Sequence, residues 1–263
     1  MKTIIFSHGD KGGVGKSVVA ALLVDMALQR FSRASLIEGD AKTPDVFARY
    51  QDDPQVVKKM ISLNLAGDAA TAVGGLAEWL ENENPDDHLV TIVNLPANAG
   101  ETLDGLVDLI IPVCTDLGYD VAACYSLGKG AEASLSLQQS MDSGLLSKID
   151  ESRRLIIIPE FAGTRDSFIY TNKAVAEKYL YEKTVLPKLA PVPTADVIFS
   201  SPGAFSTMAK RKPEGFGVFQ AHTLKRWLKD CFAALDPVFP EPLFPEPPAL
   251  HDDMVDGERG PYE

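Results

Sequence analysis

No apolar run in this chain approaches the roughly 20 residues that a helix needs to cross a bilayer, so no spanning helix is expected. Cysteine is scarce. Cys114, Cys124 and Cys231 are odd in number and form no CxxC pair, which argues against a disulfide framework. Buried free thiols in a reducing cytoplasm fit them better. Four scattered histidines show no HExxH or finger spacing, so no zinc site is expected. The chain starts almost at once with the apolar stretch Thr3-Ile4-Ile5-Phe6, leaving no room for a signal peptide. Positive charge is also short. Of the net −12, a net −7 falls between Asp236 and Glu263, where eight acids meet one base (Arg259), leaving −5 for the rest. That balance excludes a surface that attracts DNA everywhere, while leaving room for local basic patches.

Short β-branched runs alternate with longer helical patterns, the rhythm of an α/β chain whose mostly parallel sheet is covered by helices on both faces. Strands are expected near Lys2–Ser7, Ala34–Glu38, Leu89–Asn94, Leu106–Val113, Leu155–Pro159 and Asp196–Ser200. Helices are expected over Lys16–Arg30, Pro54–Ser62, Ala69–Leu80, Asp120–Met141, Asn172–Tyr181 and Phe219–Leu235. One domain over residues 1–236 is the economical organisation, with a proline-rich acidic tail over 237–263.

The most informative segment is Lys11-Gly12-Gly13-Val14-Gly15-Lys16-Ser17, between the first strand and an apolar-periodic helix. Glycines let successive N–H groups turn inward toward phosphate oxygens, and the positive end of the following helix adds to that field. Lys16 would reach the β- and γ-phosphates, and the Ser17 hydroxyl would hold Mg²⁺.

KGGVGKS resembles the deviant Walker A motif of the ParA/MinD group of P-loop ATPases. The resemblance implies a P-loop NTPase fold, ATP and Mg²⁺ as ligands, and phosphate binding by Gly12, Gly13, Val14, Gly15, Lys16 and Ser17. It also implies that Lys11 crosses a dimer interface to the partner's nucleotide, where a second cation stabilises phosphoryl-transfer charge; the plain alternative is a solvated loop lysine. Relatives carry Asp-x-Asp after the second strand. Here Glu38-Gly39-Asp40 stands there, with Asp40 matching the acid that orients water and helps hold the metal, or else serving as a turn or cap residue.

Three positions depart from the family pattern. A Walker B aspartate is expected at Asn94, whose amide brings no charge to Mg²⁺ and should weaken its binding by about 1–3 kcal/mol. Asn98, Gly100 and Glu101 follow as the expected switch loop. Asp10 replaces a glycine and is repelled by a triphosphate unless it pairs with Lys11 or another cation. After the fifth strand no asparagine reads adenine; Glu160 is either its substitute or a loop acid. The match holds in order and spacing to about residue 120, and beyond that only in strand–helix rhythm. The Asn94-Leu95-Pro96-Ala97 run is similar to ParA-like ATPases encoded with plasmid mobilisation and conjugation genes.

These features imply a weak, partner-stimulated ATPase acting as an ATP-dependent dimerisation switch in partition, mobilisation or conjugative transfer. Its partners would be a second copy and a protein of the DNA-transfer or partition complex. A nucleotide-binding scaffold without turnover is the alternative, favoured by Asp10 and Asn94. A reductase with a bridging cluster on Cys114 and Cys124 lacks the surrounding residues. Lys210-Arg211-Lys212 with Lys225, Arg226 and Lys229 could hold DNA without sequence preference, or be a solvated face. The last helix presents Leu224, Trp227, Leu228, Cys231, Phe232 and Leu235 on one face. Packing on the sheet is expected rather than membrane binding, because the acidic tail is repelled by anionic lipid. The tail's Phe-Pro-Glu-Pro repeat (239–242, 244–247) favours extended backbone that docks on its own domain or on a partner.

Overall fold

Strand β1 (Lys2–His8) carries Ile4 and Phe6 toward one face and Ile5 toward the other, and all three are fully buried. A strand covered on both sides needs helices above and below, and the remaining elements supply them. The computed structural model describes residues 2–9, 11–63, 69–82, 90–97, 103–168, 178–179, 182–212 and 214–240.

Within these residues seven strands form one all-parallel sheet in the order β3-β2-β4-β1-β5-β6-β7. The strands are β1, β2 (Ala34–Glu38), β3 (Val56–Met60), β4 (Val90–Asn94), β5 (Tyr119–Ser126), β6 (Arg154–Pro159) and β7 (Glu182–Leu186). The helices are α1 (Lys16–Phe31), α2 (Asp45–Arg49), α3 (Ala69–Asn82), α4 (Val107–Asp116), α5 (Ala131–Asp142), α6 (Val192–Ser200), α7 (Phe205–Arg211) and α8 (Val218–Leu235). One core joins Ile5, Leu36, Ile92 and Leu155 to α1, α7 and α8. The other joins Ile4, Phe6, Ile37 and Val93 to α3, α4 and α5. From β1 the chain passes outward to β2 and β3, returns to β4, then crosses to β5 on the other side. The carboxyl end of β1 therefore lies where strand order reverses, the place at which such sheets bind ligands.

Four expected elements are corrected. Pro54–Ser62 is not a helix: Val56 and Val57 pair with β2, and Lys58 and Lys59 sit on the sheet's edge strand, where lysine discourages further pairing. Leu106–Val113 is not a strand. Val107, Ile110 and Cys114 recur at helical spacing and are buried, so the run is one face of α4 despite Pro112. Asp120–Met141 divides in two: Tyr119–Ser126 is the strand beside β1, and the helix begins only after Gly130. Ala122 and Ala123 gave that strand a helical composition, yet each is fully buried. Asp196–Ser200 is the second half of α6 rather than a strand. The helix expected over Asn172–Tyr181 lies outside the described residues except for Lys178 and Tyr179, which are not helical. Asp10, Asn98, Gly100, Glu101 and the tail from Glu241 onward also lie outside.

The last helix packs as expected: Leu224, Trp227, Leu228, Cys231 and Leu235 are buried against the body. Packing continues past it. Phe239 is buried and stacks on Phe31 at 6.1 Å, with the Arg30 guanidinium 5.0 Å from its ring centroid.

Candidate functional site

β1 delivers the chain to the loop through Gly9, whose φ of +153° and tight surroundings admit no side chain: a Cβ there would lie 2.7 Å from the Ser126 carbonyl oxygen. Gly13 (φ 75°) and Gly15 (φ 94°) hold the left-handed turns that bring the loop round to the N-terminus of α1. Val14 turns inward and is buried, while Gly12 and Gly13 stay exposed. Lys16 is 7% exposed, and its ammonium donates to the Lys11 carbonyl oxygen at 2.6 Å, so the side chain folds back across the loop. Its own carbonyl accepts from the buried Ser7 hydroxyl at 2.8 Å, tying the helix start to β1. Ser17 follows in the first turn. Lys11 forms an exposed ion pair with Glu132 of α5.

His8, one residue before Gly9, was not singled out by the sequence. It is buried against Tyr125, ring edge to face at 4.9 Å. Burial, and then the nearby Lys16 charge, push its pKa down to about 3. The imidazole is neutral at physiological pH, so it adds no competing cation beneath Lys16.

One flank of the site is built by the carboxyl ends of β1, β2 and β4. Register sets Asn94 opposite both Ser7 and Glu38. The Asn94 Nδ2 donates to Glu38 Oε1 at 2.8 Å. Glu38 also accepts from the Asp40 amide (3.1 Å) and the Phe47 amide (3.3 Å). Burial raises the Glu38 pKa, and these hydrogen bonds oppose the rise. Asn94 is 1% exposed, and its Oδ1 has no hydrogen-bond partner among the described residues. Glu38 and Asn94 lie 56 positions apart in sequence, and adjacency of β2 and β4 makes them one pair. Asp40 Oδ1 accepts from the Lys42 and Thr43 amides, both at 3.1 Å, so this carboxylate anchors the turn into α2.

No group of three or more His, Cys, Asp or Glu that could hold a metal exists among the described residues. Mg²⁺ keeps several waters and is bound together with substrate phosphates rather than in an all-protein cage. The orphaned Asn94 Oδ1 and the Ser17 hydroxyl are the fitting donors on this chain. The cysteines are excluded from such work: Cys114, Cys124 and Cys231 are buried free thiols, and burial raises the pKa of each.

On the opposite flank, Glu160 links the ends of β6 and β7. Its amide donates to Leu186 (3.0 Å), and its Oε2 accepts from the Lys188 amide (3.4 Å). Its neighbour Phe161 lies across the loop, and a Cβ on Gly15 would stand 2.9 Å from the ring. Phe161, Val18, Pro187, Leu189, Phe199 and Trp227 line an apolar cavity of about 230 Å³. A second cavity of about 390 Å³ runs past Ser17, Asp45, Arg49, Ser201 and Phe205. Arg49 forms part of its wall by donating to the Ile198, Phe199 and Gly203 carbonyls at 2.8–2.9 Å.

A seven-stranded parallel sheet with a glycine loop joining its central strand to the first helix defines the α/β P-loop NTPase fold. In fold the chain is MinD-like. It superposes on the septum site-determining protein MinD from Pyrococcus horikoshii, determined with Mg-ADP, with a TM-score of 0.50 at 16% identity, covering 89% of this chain and 98% of that one. The cell division ATPase MinD of Pyrococcus furiosus gives a TM-score of 0.45 at 16% identity over 87% of this chain and 99% of that one. In sequence the chain is 25% identical over 142 residues to Protein MobD of Acidithiobacillus ferrooxidans, covering 54% of this chain and 59% of that protein's length. No family model matches. No helix among the described residues is long and apolar enough to cross a membrane.

Proposed function

We propose that this chain is a ParA/MinD-like ATPase that binds ATP with Mg²⁺ and uses it to control pairing with a second copy of itself. The arrangement that carries the reading is the loop 11–17. Two left-handed glycines aim the loop at the start of α1, and a nearly buried Lys16 is drawn over it by the Lys11 carbonyl. Such a cradle binds a polyphosphate through backbone amides, the helix terminus and one cation together.

The residues divide the work. Gly12, Gly13, Val14 and Gly15 hold phosphate oxygens; Lys16 takes the β/γ bridge; Ser17, with Asn94 and Asp40, faces the metal side. Mg²⁺, when bound, neutralises charge on the transferring phosphoryl group. Asp40 orients water from the turn it anchors. Lys11 is the residue offered to the partner copy. Its pair with Glu132 leaves the two side chains 44% and 76% exposed, and exposed ion pairs are readily exchanged for a stronger charge partner such as a triphosphate. Glu160 and the apolar cavity beside it receive the base.

Residues 1–236 act as one unit carrying the acidic tail 237–263. The switch would serve plasmid partition, mobilisation or conjugative transfer in the cytoplasm, with a protein of that complex as partner; the partial likeness to Protein MobD fits mobilisation. Lys210, Arg211 and Lys212, with Lys225, Arg226 and Lys229, are exposed on α7, the residue that follows it and α8, which pack together. They offer DNA a phosphate-binding surface whose affinity should fall with salt.

A second reading has its own observation. Asn94 brings no charge and spends its Nδ2 on Glu38, which favours a nucleotide-binding scaffold with little turnover. Calorimetry with ATP, followed by phosphate release with partner or DNA present, separates the two. Binding with release supports the switch, and binding without release supports the scaffold. No uptake at millimolar ATP overturns both.

A further inference from the structure

The exposed cations of α7 and α8 fall on one surface. On α8, Val218, His222, Lys225 and Lys229 recur every three or four residues with Phe219 and Arg226 beside them, opposite the buried Leu224, Leu228 and Cys231. α7 packs on α8 through Phe205 and Trp227, with ring centroids 5.6 Å apart, and adds Lys210, Arg211 and the following Lys212. Residues 205–232 carry six cations and two acids, Glu214 and Asp230, a net of +4 on a chain whose net is −12. None of the six cations forms an ion pair among the described residues, whereas Lys11, Arg30, Lys148, Arg153 and Lys178 are all paired. Phe219, at the head of the stripe, is 66% exposed.

The segment that follows α8 has the matching chemistry. Residues 241–263 hold seven acids and one base, a net of −6, together with Phe244. Its root shows the mode of contact. Phe239, from the first Phe-Pro-Glu-Pro repeat, is buried and stacks on Phe31, with the Arg30 guanidinium 5.0 Å from its ring centroid, and Arg30 also pairs with Asp236. An aromatic and an acid are thus held by an aromatic and a cation. The second repeat carries the same two groups in Phe244 and Glu246, and the α8 stripe offers the same two kinds of partner. Reach is ample: α8, with 18 residues, is about 27 Å long, whereas residues 241–263 in extended backbone span up to about 70 Å. We infer that residues 241–263 fold back along α8 and cover its cationic face, so that an outside polyanion binds there only by displacing them. The tether supplies a local concentration of about millimolar, at which individually weak exposed ion pairs suffice together. Only the identity of the displaced polyanion as DNA rests on the proposed function; the docking does not.

Zero-length carbodiimide coupling of the full chain tests the docking, because it joins a carboxylate to a lysine only where the two touch. At low salt the tail acids should couple to Lys210, Lys212, Lys225 and Lys229 of the same molecule about fivefold or more over the exposed Lys42 and Lys183, and the preference should vanish near about 0.5 M salt. Equal coupling to Lys42 and Lys183, or coupling only between two molecules, would overturn the inference. Anisotropy of a fluorescent oligonucleotide gives the second readout. Neutralising six tail acids (E241Q, E246Q, D252N, D253N, D256N and E258Q) should tighten binding about tenfold or more at about 50 mM salt, with a gain that shrinks as salt rises. A gain below about twofold, with wild type binding the oligonucleotide, would also overturn it. If neither chain binds oligonucleotide, the proposed DNA surface fails, and the coupling pattern alone decides where the tail lies. Neither readout needs ATP, so a chain that binds no nucleotide removes the proposed switch and leaves this inference to its own test.

Discussion

Replacing Gly9 by alanine should be among the most damaging single-methyl additions in the described chain, and its cost can be worked from surroundings. The added Cβ would lie 2.7 Å from the Ser126 carbonyl oxygen and 3.2 Å from Val14. Ser126 ends β5, which lies between β1 and β6 and pairs through Ser126 with Ile157, so the carbonyl cannot swing aside as a surface side chain would. Backbone strain at a φ of +153° costs about 1–3 kcal/mol, and forcing a methyl into packed backbone about 1–3 more. The sum, roughly 2–6 kcal/mol, is a large part of the 5–15 kcal/mol by which a domain is stable. Gly118 and Gly13 are internal controls. Both have positive φ (81° and 75°), and nothing lies within 4 Å of an added Cβ at either. Their alanine variants should lose only about 1–2 kcal/mol for left-handed backbone. Urea unfolding monitored by far-UV circular dichroism gives the three values under one protocol. The expected order puts Gly9→Ala well above the other two, with Gly118→Ala alone leaving nucleotide binding unchanged. A Gly9→Ala midpoint equal to that of Gly118→Ala would refute the argument that β5 closes the floor of the loop.

Two further predictions concern buried polar groups. His8 stays neutral when folded, with its pKa near 3, but takes a proton near 6.5 when unfolded, so the unfolded state binds more protons between those values. Stability from this residue is complete above pH 6.5 and is lost as pH falls toward 3, at up to about 1.4 kcal/mol per pH unit; His8→Asn should flatten that part of the stability profile, and parallel profiles would contradict it. Asp25 is fully buried in α1 and accepts from the Ser206 amide at 2.8 Å and from its hydroxyl. Burial raises its pKa against those bonds, so Ser206→Ala should cost about 1–3 kcal/mol at neutral pH and less as acid neutralises the carboxyl, measured by urea midpoints at pH 7 and 5.

What could be read from the chain was local. Loop 11–17, its flanking strand and helix, and strands β2 and β6 follow from neighbouring residues, because glycine spacing and β-branched runs act over a few positions. Where Ala122 and Ala123 fill a strand beside β1, composition points to helix and only pairing decides. Val107, Ile110 and Cys114 show the converse: a short apolar run has a helical period that becomes evident only once one face is buried. The site divides the same way. Lys16 and Ser17 are legible from spacing, whereas the Glu38–Asn94 pair needs β2 to lie next to β4, 56 positions apart in sequence. Phe161 over Gly15, and His8 beneath Lys16, likewise depend on strand order, which no window of sequence contains.

The proposed switch requires a loop that grips a triphosphate and a lysine, Lys11, that serves a second molecule's copy of it. Solution mass by sedimentation, with ADP and with a non-hydrolysable ATP analogue, tests both at once in wild type and Lys11→Ala. The expected result is a mass that doubles for wild type with the analogue alone, while Lys11→Ala binds the analogue and stays single. A wild type that remains monomeric when saturated with analogue, or a Lys11→Ala variant that pairs equally well, would contradict it.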